Sequence, residues 1–441
     1  MLPFLIFVIV LVGINTLLWA GVGIIRVFSA WLRQLRGDIP SGDIPTTDDV
    51  AVIIAAHNEE VVLGHSLRSL KEHISPKNIF VVSDGSSDST VEIARAEGVS
   101  VLDLQPNRGK AGAIVELLSH FELPQRFEIV LLLDADTQLA PGYFSSGLPM
   151  FGDPEVVAVA GRAVTQPWPL SPTRIGRFLV AYRNRVYIAM QYLFKFGQAA
   201  RYANVVSIVP GFASMYRSRI LSSIDIDAPG LKIEDYNMTF EIHAKQLGRI
   251  AFHPQAAIAL TQDPDHLRDY IHQVERWNLG FWQTVRRHNF RFRKFWLALS
   301  LFILELLMSS VLLILLLPLI LISLTASLVV ALGLDSSGTA QTVVDALPLL
   351  ALVLGIVIPD YLLTIFAAIV SKNPKYLLEG LAFPVLRVLD AVLCMRALVA
   401  ALLLAPSTGD WKSPARRTAE LMPGAKPLKE LEPAPVHSQG E

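Results

Sequence analysis

Ile129-Val130-Leu131-Leu132-Leu133-Asp134-Ala135-Asp136 is the stretch that decides the fold. Five apolar residues without a polar interruption suit a strand buried on both faces, as in a parallel sheet covered by helices. The run ends on two carboxylates one residue apart. A strand would therefore deliver both acids to the carboxyl edge of a sheet, where open α/β folds bind ligands. The same pattern occurs upstream, where the apolar residues 79–82 lead into Ser83-Asp84-Gly85-Ser86-Ser87-Asp88.

Working outward, residues 50–55, 79–82, 99–102 and 129–133 read as strands, and residues 61–72, 89–97 and 109–119 as helices. Strands alternating with helices predict an α/β domain with a doubly wound, mostly parallel sheet. Beyond it, residues 173–197, 235–247 and 266–288 predict a mostly helical second half.

Composition sets the surroundings. The 441 residues are 52% hydrophobic, with a formal net charge of −1 and one cysteine, Cys394. Mean hydropathy is +0.45, high for a soluble protein. The near-zero charge gives no basic field for nucleic acid. A lone cysteine excludes an internal disulfide and a cysteine-rich zinc site.

The apolar content is concentrated outside residues 48–290. Residues 1–30 predict one N-terminal transmembrane helix, uncharged over 2–25 and followed by Arg26, Arg33 and Arg36. The positive-inside rule puts the next domain in the cytoplasm. Residues 296–371 hold two further apolar stretches, long enough for two spans. Residues 377–405 carry Arg387, Asp390 and Arg396, and a charge at mid-bilayer is expensive, so this segment reads as an interfacial or a fourth transmembrane helix. Residues 406–441, Pro-rich and charged, are expected to form a disordered cytoplasmic tail.

Several polar groups fall where this fold would place chemistry. His57, Asn58 and Glu59 follow the first strand and suit a base or ribose, although a polar loop opening a helix would look the same. Asp84 follows the second strand; capping of the next helix accounts for Ser86 or Asp88 but not for Asp84. Lys110 opens a helix, where it can meet a diphosphate or lie in solvent. Asp134 and Asp136 can hold a hard divalent cation, which in turn holds a diphosphate. Glu234 and Asp235 open a helix, as caps or with Asp235 as a general base. Gln273, Arg276 and Trp277 share one helix face and offer an amide, a guanidinium and an indole to a sugar and a pyrophosphate. Taken singly, Trp277 also reads as core and Arg276 as surface.

The order of these residues resembles the inverting family 2 glycosyltransferases of the processive membrane type, which make cellulose, chitin, hyaluronan and poly-N-acetylglucosamine. The matching residues are Asp84, Asp134-Ala-Asp136, Glu234-Asp235 and Gln273-x-x-Arg276-Trp277. Supporting matches are His57-Asn-Glu-Glu60, Asn107-Arg-Gly-Lys110 and Pro210-Gly-Phe-Ala-Ser-Met-Tyr-Arg217. The resemblance implies a GT-A fold, a UDP-sugar donor, and Mg²⁺ or Mn²⁺ bound near Asp136. It makes Asp235 the catalytic base. His57, Asn58, Glu59, Asp84, Lys110 and Asp134 would bind the donor, and Glu234, Gln273, Arg276 and Trp277 would line the acceptor and diphosphate site. The segment Trp411-Lys-Ser-Pro-Ala-Arg416 and the overall size look most like bacterial poly-β-1,6-N-acetylglucosamine synthases. The implied protein is a multi-pass plasma-membrane enzyme with a cytoplasmic catalytic domain. It would transfer N-acetylglucosamine to a growing β-linked polysaccharide for export, with room for a small membrane partner subunit. Two features depart from that family: one N-terminal span in place of two, and Lys232-Ile233 before the acids in place of a small residue. Alternatives are a non-processive transferase acting on a lipid acceptor, and a non-catalytic nucleotide-binding transporter or partner subunit.

Overall fold

A computed structural model describes residues 13–36, 42–166 and 170–403. The chain begins with helix α1 (Ile14–Arg36) and enters the α/β domain through β1 (Val50–Ala56). Then follow α2 (Leu63–Leu70), β2 (Ile79–Asp84), α3 (Thr90–Ala96), β3 (Ser100–Leu104), α4 (Gly109–His120) and β4 (Ile129–Asp134). These boundaries match the strand and helix alternation read from the sequence to within a few residues.

Residues 138–261 add strands that helical periodicity did not reveal: β5 (Gln138–Leu139), β6 (Val156–Val159), β7 (Arg162–Thr165), β8 (Ala213–Arg217), β9 (Arg249–Ala251) and β10 (Ile258–Thr261). The expectation of a mostly helical second half is corrected accordingly. These strands have two to five residues each, too short to show an alternating pattern. The helices expected there are present as α5 (Arg174–Ala189), α6 (Glu234–Lys245) and α7 (Leu267–Arg287), with a π-helical turn at Met190–Lys195 continuing α5.

Seven strands form one sheet in the order β3-β2-β1-β4-β8-β6-β9, and β5-β10-β7 form a second. In the large sheet β3, β2, β1 and β4 are parallel, β8 runs antiparallel between β4 and β6, and β9 is parallel to β6. The apolar runs work as expected of a strand covered on both faces. Ala51, Ile53, Val130 and Leu132 enter one core, while Val52, Ile54, Leu131 and Leu133 enter the other.

Past α7 the chain is apolar. Two helical stretches, Lys294–Ala331 and Thr339–Ser371, are long and apolar enough to cross a membrane. The first, α8, has 38 residues and so is about 57 Å long, well beyond a hydrocarbon core of about 30 Å. Its first turns belong to the domain: Phe295, Trp296 and Leu299 pack with Phe240, Phe281 and Trp282. Within the second stretch lies α9 (Leu349–Ser371), followed by α10 (Phe383–Leu403). The face of α8 turned away from the protein is leucine-rich, with Leu304, Leu315, Leu321 and Leu328 each more than half exposed.

Helix α1 starts at Ile14 and runs to Arg36, well past residue 25; residues 1–12 of the expected N-terminal span lie outside the described residues, as do 404–441. The start of α1 is held by Glu305 of α8, which accepts from the Asn15 backbone N–H and side-chain amide at 2.8 Å each. Arg26 is buried and donates to the carbonyls of Phe196 and Phe252 at 2.9 and 3.0 Å. Ile14, Leu17, Ile24, Ile25 and Phe28 face outward, so α1 presents an apolar stripe while its other face is fastened to the domain.

Candidate active site

The strand register assembles the site. Ala55 at the end of β1 lies beside Val82 on one neighbour and Asp134 on the other, and Asp84 is one step beyond the Ala56–Ser83 pair. Asp84 and Asp134 thus flank the end of β1 at the carboxyl edge. The antiparallel β8 begins at that same edge, where the Asp134 N–H donates to Phe212 O at 2.9 Å. Pro210-Gly211-Phe212, at the head of β8, is therefore brought against the strand-end acids.

The loops after β1 and β2 are stitched together. The Asn58 N–H donates to Ser86 Oγ (3.1 Å), and Asn58 Oδ1 accepts from the Ser87 N–H (2.8 Å). Glu59 is buried, its N–H on Thr90 Oγ1 at 2.9 Å. His57 Nδ1 lies 2.7 Å from the Asp84 carbonyl. Asn58, with φ of 54°, thus ties the loop after β1 to the loop after β2 through both its backbone and its side chain. Asp84 has no exposed surface; Oδ1 accepts from the Arg108 N–H at 2.7 Å, and Oδ2 is buried without a hydrogen-bond partner. An unmatched acceptor of this kind is costly to leave in place and marks Asp84 as a candidate for receiving a donor group.

Lys110, one residue into α4, reaches across to both acid pairs. Its ammonium lies 2.8 Å from Asp134 Oδ1 and 2.9 Å from Glu234 Oε1. Burial would lower its pKa, but Asp134 and Glu234 outweigh it and raise the pKa above the ordinary value. Two of its three N–H groups serve carboxylates, leaving one for an incoming phosphate oxygen.

Asp235 opens α6. Its Oδ1 accepts from the Tyr236 N–H at 2.7 Å and its Oδ2 from the Gly211 N–H at 3.3 Å. The carboxyl is pushed up to about 7, first by burial and then by the charge of Glu234, with Lys110 and the two backbone N–H groups opposing. An acid poised there is half ionised at neutral pH, the condition for a general base. Gly211 is needed at this point: a Cβ would stand 3.1 Å from Glu234 Oε1 and 3.6 Å from Lys110 Nζ. Asp136, 6% exposed, sits two residues past Asp134 on the tight turn into β5. Among the described residues no group of three His, Cys, Asp or Glu forms a metal cluster.

Helix α7 brings up Gln273, Arg276 and Trp277, all partly buried. It packs closely on the segment leading into α6: a Cβ on Gly280 would fall 2.9 Å from Ile233 Cβ. This explains why a bulky Ile233 fits directly before the two acids. Gln273 Oε1 accepts from Arg183 Nη2 at 3.1 Å, and the Arg183 guanidinium lies 4.2 Å over the Trp277 ring.

Arg183 was not legible in the sequence. It is buried on α5, lies 3.6 Å from Asp263, and donates to the Tyr187 hydroxyl at 3.1 Å. Asp263, just past β10, also accepts from Thr165 and Tyr187 at 2.7 and 2.8 Å. A second missed group is Lys195, in the π-helical turn, whose ammonium burial lowers to about 8 against the charge of Asp235. Isolated Arg and Lys residues on helices carry no local signal; the π-turn that aims Lys195 inward belongs to the tertiary structure.

The profile of the family "Glycosyl transferase family 2" matches residues 51–225. A Methanocaldococcus jannaschii protein of uncharacterized activity is 42% identical over 94 residues, 21% of this chain and 38% of that protein. The poly-beta-1,6-N-acetyl-D-glucosamine synthase of Staphylococcus aureus is 25% identical over 280 residues, 62% of this chain and 64% of that protein. The chain thus spans less than two thirds of the length of these relatives. Among solved structures, the mannosyltransferase PcManGT of Pyrobaculum calidifontis, in complex with GDP-Man and Mn2+, superposes with a TM-score of 0.50 at 16% identity. The superposition covers 90% of this chain and 99% of that one, a likeness of fold. Residues 51–225, with their mostly parallel sheet and acids at its carboxyl edge, are a family 2 glycosyltransferase domain of the GT-A fold.

Proposed function

We propose that this chain is an inverting membrane glycosyltransferase that moves a sugar from a UDP-sugar to a growing β-linked glycan, with N-acetylglucosamine as the expected sugar. The observation that carries this reading is Asp235, pushed up to about 7 beside Lys110, Glu234 and Gly211. Asp235 takes the proton from an acceptor hydroxyl as that oxygen forms a bond to the anomeric carbon. The bond from the anomeric carbon to the diphosphate breaks, and its electron pair leaves with UDP. One in-line displacement inverts the anomer, giving a β-linkage from an α-linked donor. Lys110 would offer its remaining N–H to the departing diphosphate, and Asp84, whose buried Oδ2 lacks a hydrogen-bond partner, would accept from an N–H of the nucleoside. Trp277, with one ring face under Arg183, presents the other to the apolar face of an acceptor sugar.

Asp134 ends β4 and Asp136 follows two residues on, so their carboxylates would supply oxygen ligands to Mg²⁺ or Mn²⁺, with substrate phosphates completing the coordination. When bound, the cation would neutralise charge on the leaving diphosphate. The apolar helices α1, α8 and α9 support a location at a membrane, with the polymer leaving beside them.

The test is donor turnover by the full chain in vesicles, with UDP-N-acetylglucosamine, UDP-glucose and GDP-mannose each offered with Mg²⁺ or Mn²⁺. UDP release with a high-mass product, lost in Asp235→Asn, supports the proposal. A lipid-soluble single-sugar product redirects it to a lipid acceptor. Unchanged turnover in Asp235→Asn refutes the mechanism.

A further inference from the structure

The three charged residues of α10 are all engaged with other elements. Arg387 lies 3.5 Å from Asp360 of α9, and Arg396 lies 3.3 Å from Glu275 of α7. Asp390 is the most telling. Its two oxygens accept from two phenols on two different helices, Tyr182 of α5 at 2.8 Å and Tyr270 of α7 at 2.5 Å. A carboxylate drawn into an apolar helix is costly unless its oxygens are matched, and here both are.

Both phenols adjoin the proposed acceptor site. Tyr270, fully buried, lies three residues before Gln273 and seven before Trp277, so all three share one face of α7. Tyr182 immediately precedes Arg183, whose guanidinium spans that same face: 5.8 Å from the Tyr270 ring, hydrogen-bonded to Gln273, and 4.2 Å over Trp277. Arg185, two residues on, reaches the other way, to Asp360 Oδ2 at 2.7 Å. Helix α5 is thus tied to the apolar helices by Tyr182 and Arg185, and to the acceptor motif by Arg183.

We propose that Asp390 is a positioning residue for the acceptor: by clamping Tyr182 and Tyr270 it fixes α5 against α7, so that Arg183 covers one face of Trp277 and leaves the other for a sugar. The inference rests on the reading of Trp277 as an acceptor-stacking residue. It makes α10 a part of the catalytic unit that sets acceptor binding without touching substrate.

The test uses the full chain in vesicles with UDP-N-acetylglucosamine and an N-acetylglucosamine oligosaccharide, comparing Asp390→Asn, Tyr270→Phe, their double variant and Trp277→Ala. The expected result for Asp390→Asn is an acceptor KM raised by about tenfold, the scale of one lost hydrogen bond to a charged group. The donor KM and UDP release to water should stay within about twofold, since the clamp acts through Arg183 on Trp277 and not through Lys110 and the strand-end acids. Tyr270→Phe, which removes one of the two bonds, should raise it in part, and the double variant should do no more than Asp390→Asn alone, because both substitutions act on the same clamp. Asp390→Glu, which keeps the carboxylate, should recover part of the loss. Equal loss in donor turnover and acceptor KM, with a fall in Tm, overturns the proposal in favour of a packing role. So does an unchanged acceptor KM in Asp390→Asn when Trp277→Ala raises it. If Asp390→Asn does not fold, Tyr270→Phe and Tyr182→Phe remove the same bonds from the other side and decide the matter. An acceptor KM unmoved by Trp277→Ala would remove the acceptor reading of α7, and this proposal with it.

Discussion

Neutralising Glu234 should move the pH dependence of the enzyme in a direction that identifies Asp235 as its base. The Asp235 carboxyl stands at about 7 against an ordinary 3.8, a difference worth roughly 4 kcal/mol. Burial is the largest cause and the Glu234 charge the next, so Glu234→Gln is expected to return about one pH unit, with burial retaining the rest. At pH 6 the ionised fraction of Asp235 would then rise from about one-tenth to about one-half, a gain of about fivefold in kcat/KM relative to each enzyme's own plateau. Lys110 acts with the opposite sign, holding the Asp235 pKa down. Lys110→Met should therefore shift the acid limb upward, on a lower plateau. The assay is kcat/KM for UDP release from pH 5 to 9 for the parent and both variants. An acid limb that stays in place, or that moves the same way in both variants, would refute the assignment of Asp235 as the titrating base.

Because folding raises the Asp235 pKa, the native state binds more protons than the unfolded chain between about pH 4 and 7, and this residue's cost to stability is complete above pH 7. Asp235→Asn should thus abolish transfer while raising Tm at pH 8 relative to the parent, by up to about 4 kcal/mol in stability, and the gain should vanish near pH 4, as read by thermal melts at both pH values. Gly211→Ala puts a methyl 3.1 Å from Glu234 Oε1 and 3.5 Å from Asp235 Cβ; steady-state rates should fall by about tenfold or more while Tm changes little, since the clash lies in the site. Gly280→Val, with even its Cβ 2.9 Å from Ile233, should push α7 off the α6 entrance and cost about 1–3 kcal/mol of stability, visible as a lowered Tm together with lost activity. Chelation with EDTA should stop turnover, and Mg²⁺ or Mn²⁺ should restore it in the parent but not in an Asp134→Asn, Asp136→Asn double variant, as followed by UDP release.

The sequence by itself determined the parallel half of the large sheet and the acids at its carboxyl edge. Residues 129–133 and 79–82 are uniformly apolar because both faces of β4 and β2 are covered, and a strand that is apolar throughout must place its first polar residue at its end. Asp84, Asp134 and Asp136 were legible for that reason. So were the two long apolar stretches in 296–371, since no folded context is needed to see that they exceed a bilayer's width. Glu234, Asp235, Gln273, Arg276 and Trp277 were legible as a pattern, but their neighbours were not.

What the tertiary structure decided lies in pairings between distant segments. Strands β6 to β9 are too short to carry a period, and β8 is antiparallel only because it starts at the carboxyl edge and runs back along β4. That reversal carries Gly211 to Asp235 and thereby assembles the candidate base. Lys110 read as either a phosphate ligand or a solvated lysine, and the structure placed it between Asp134 and Glu234, residues separated by about a hundred positions in the chain. Arg183 acquires a role only when α5 lies along α7, and Asp390 only when α10 meets both. The charges of α10, expensive in lipid when seen alone, are matched by phenols and ions from elsewhere in the fold. Local sequence specifies where a carboxylate sits on its own strand or helix; the partner that fixes its charge and aim arrives through packing, from residues no local window contains.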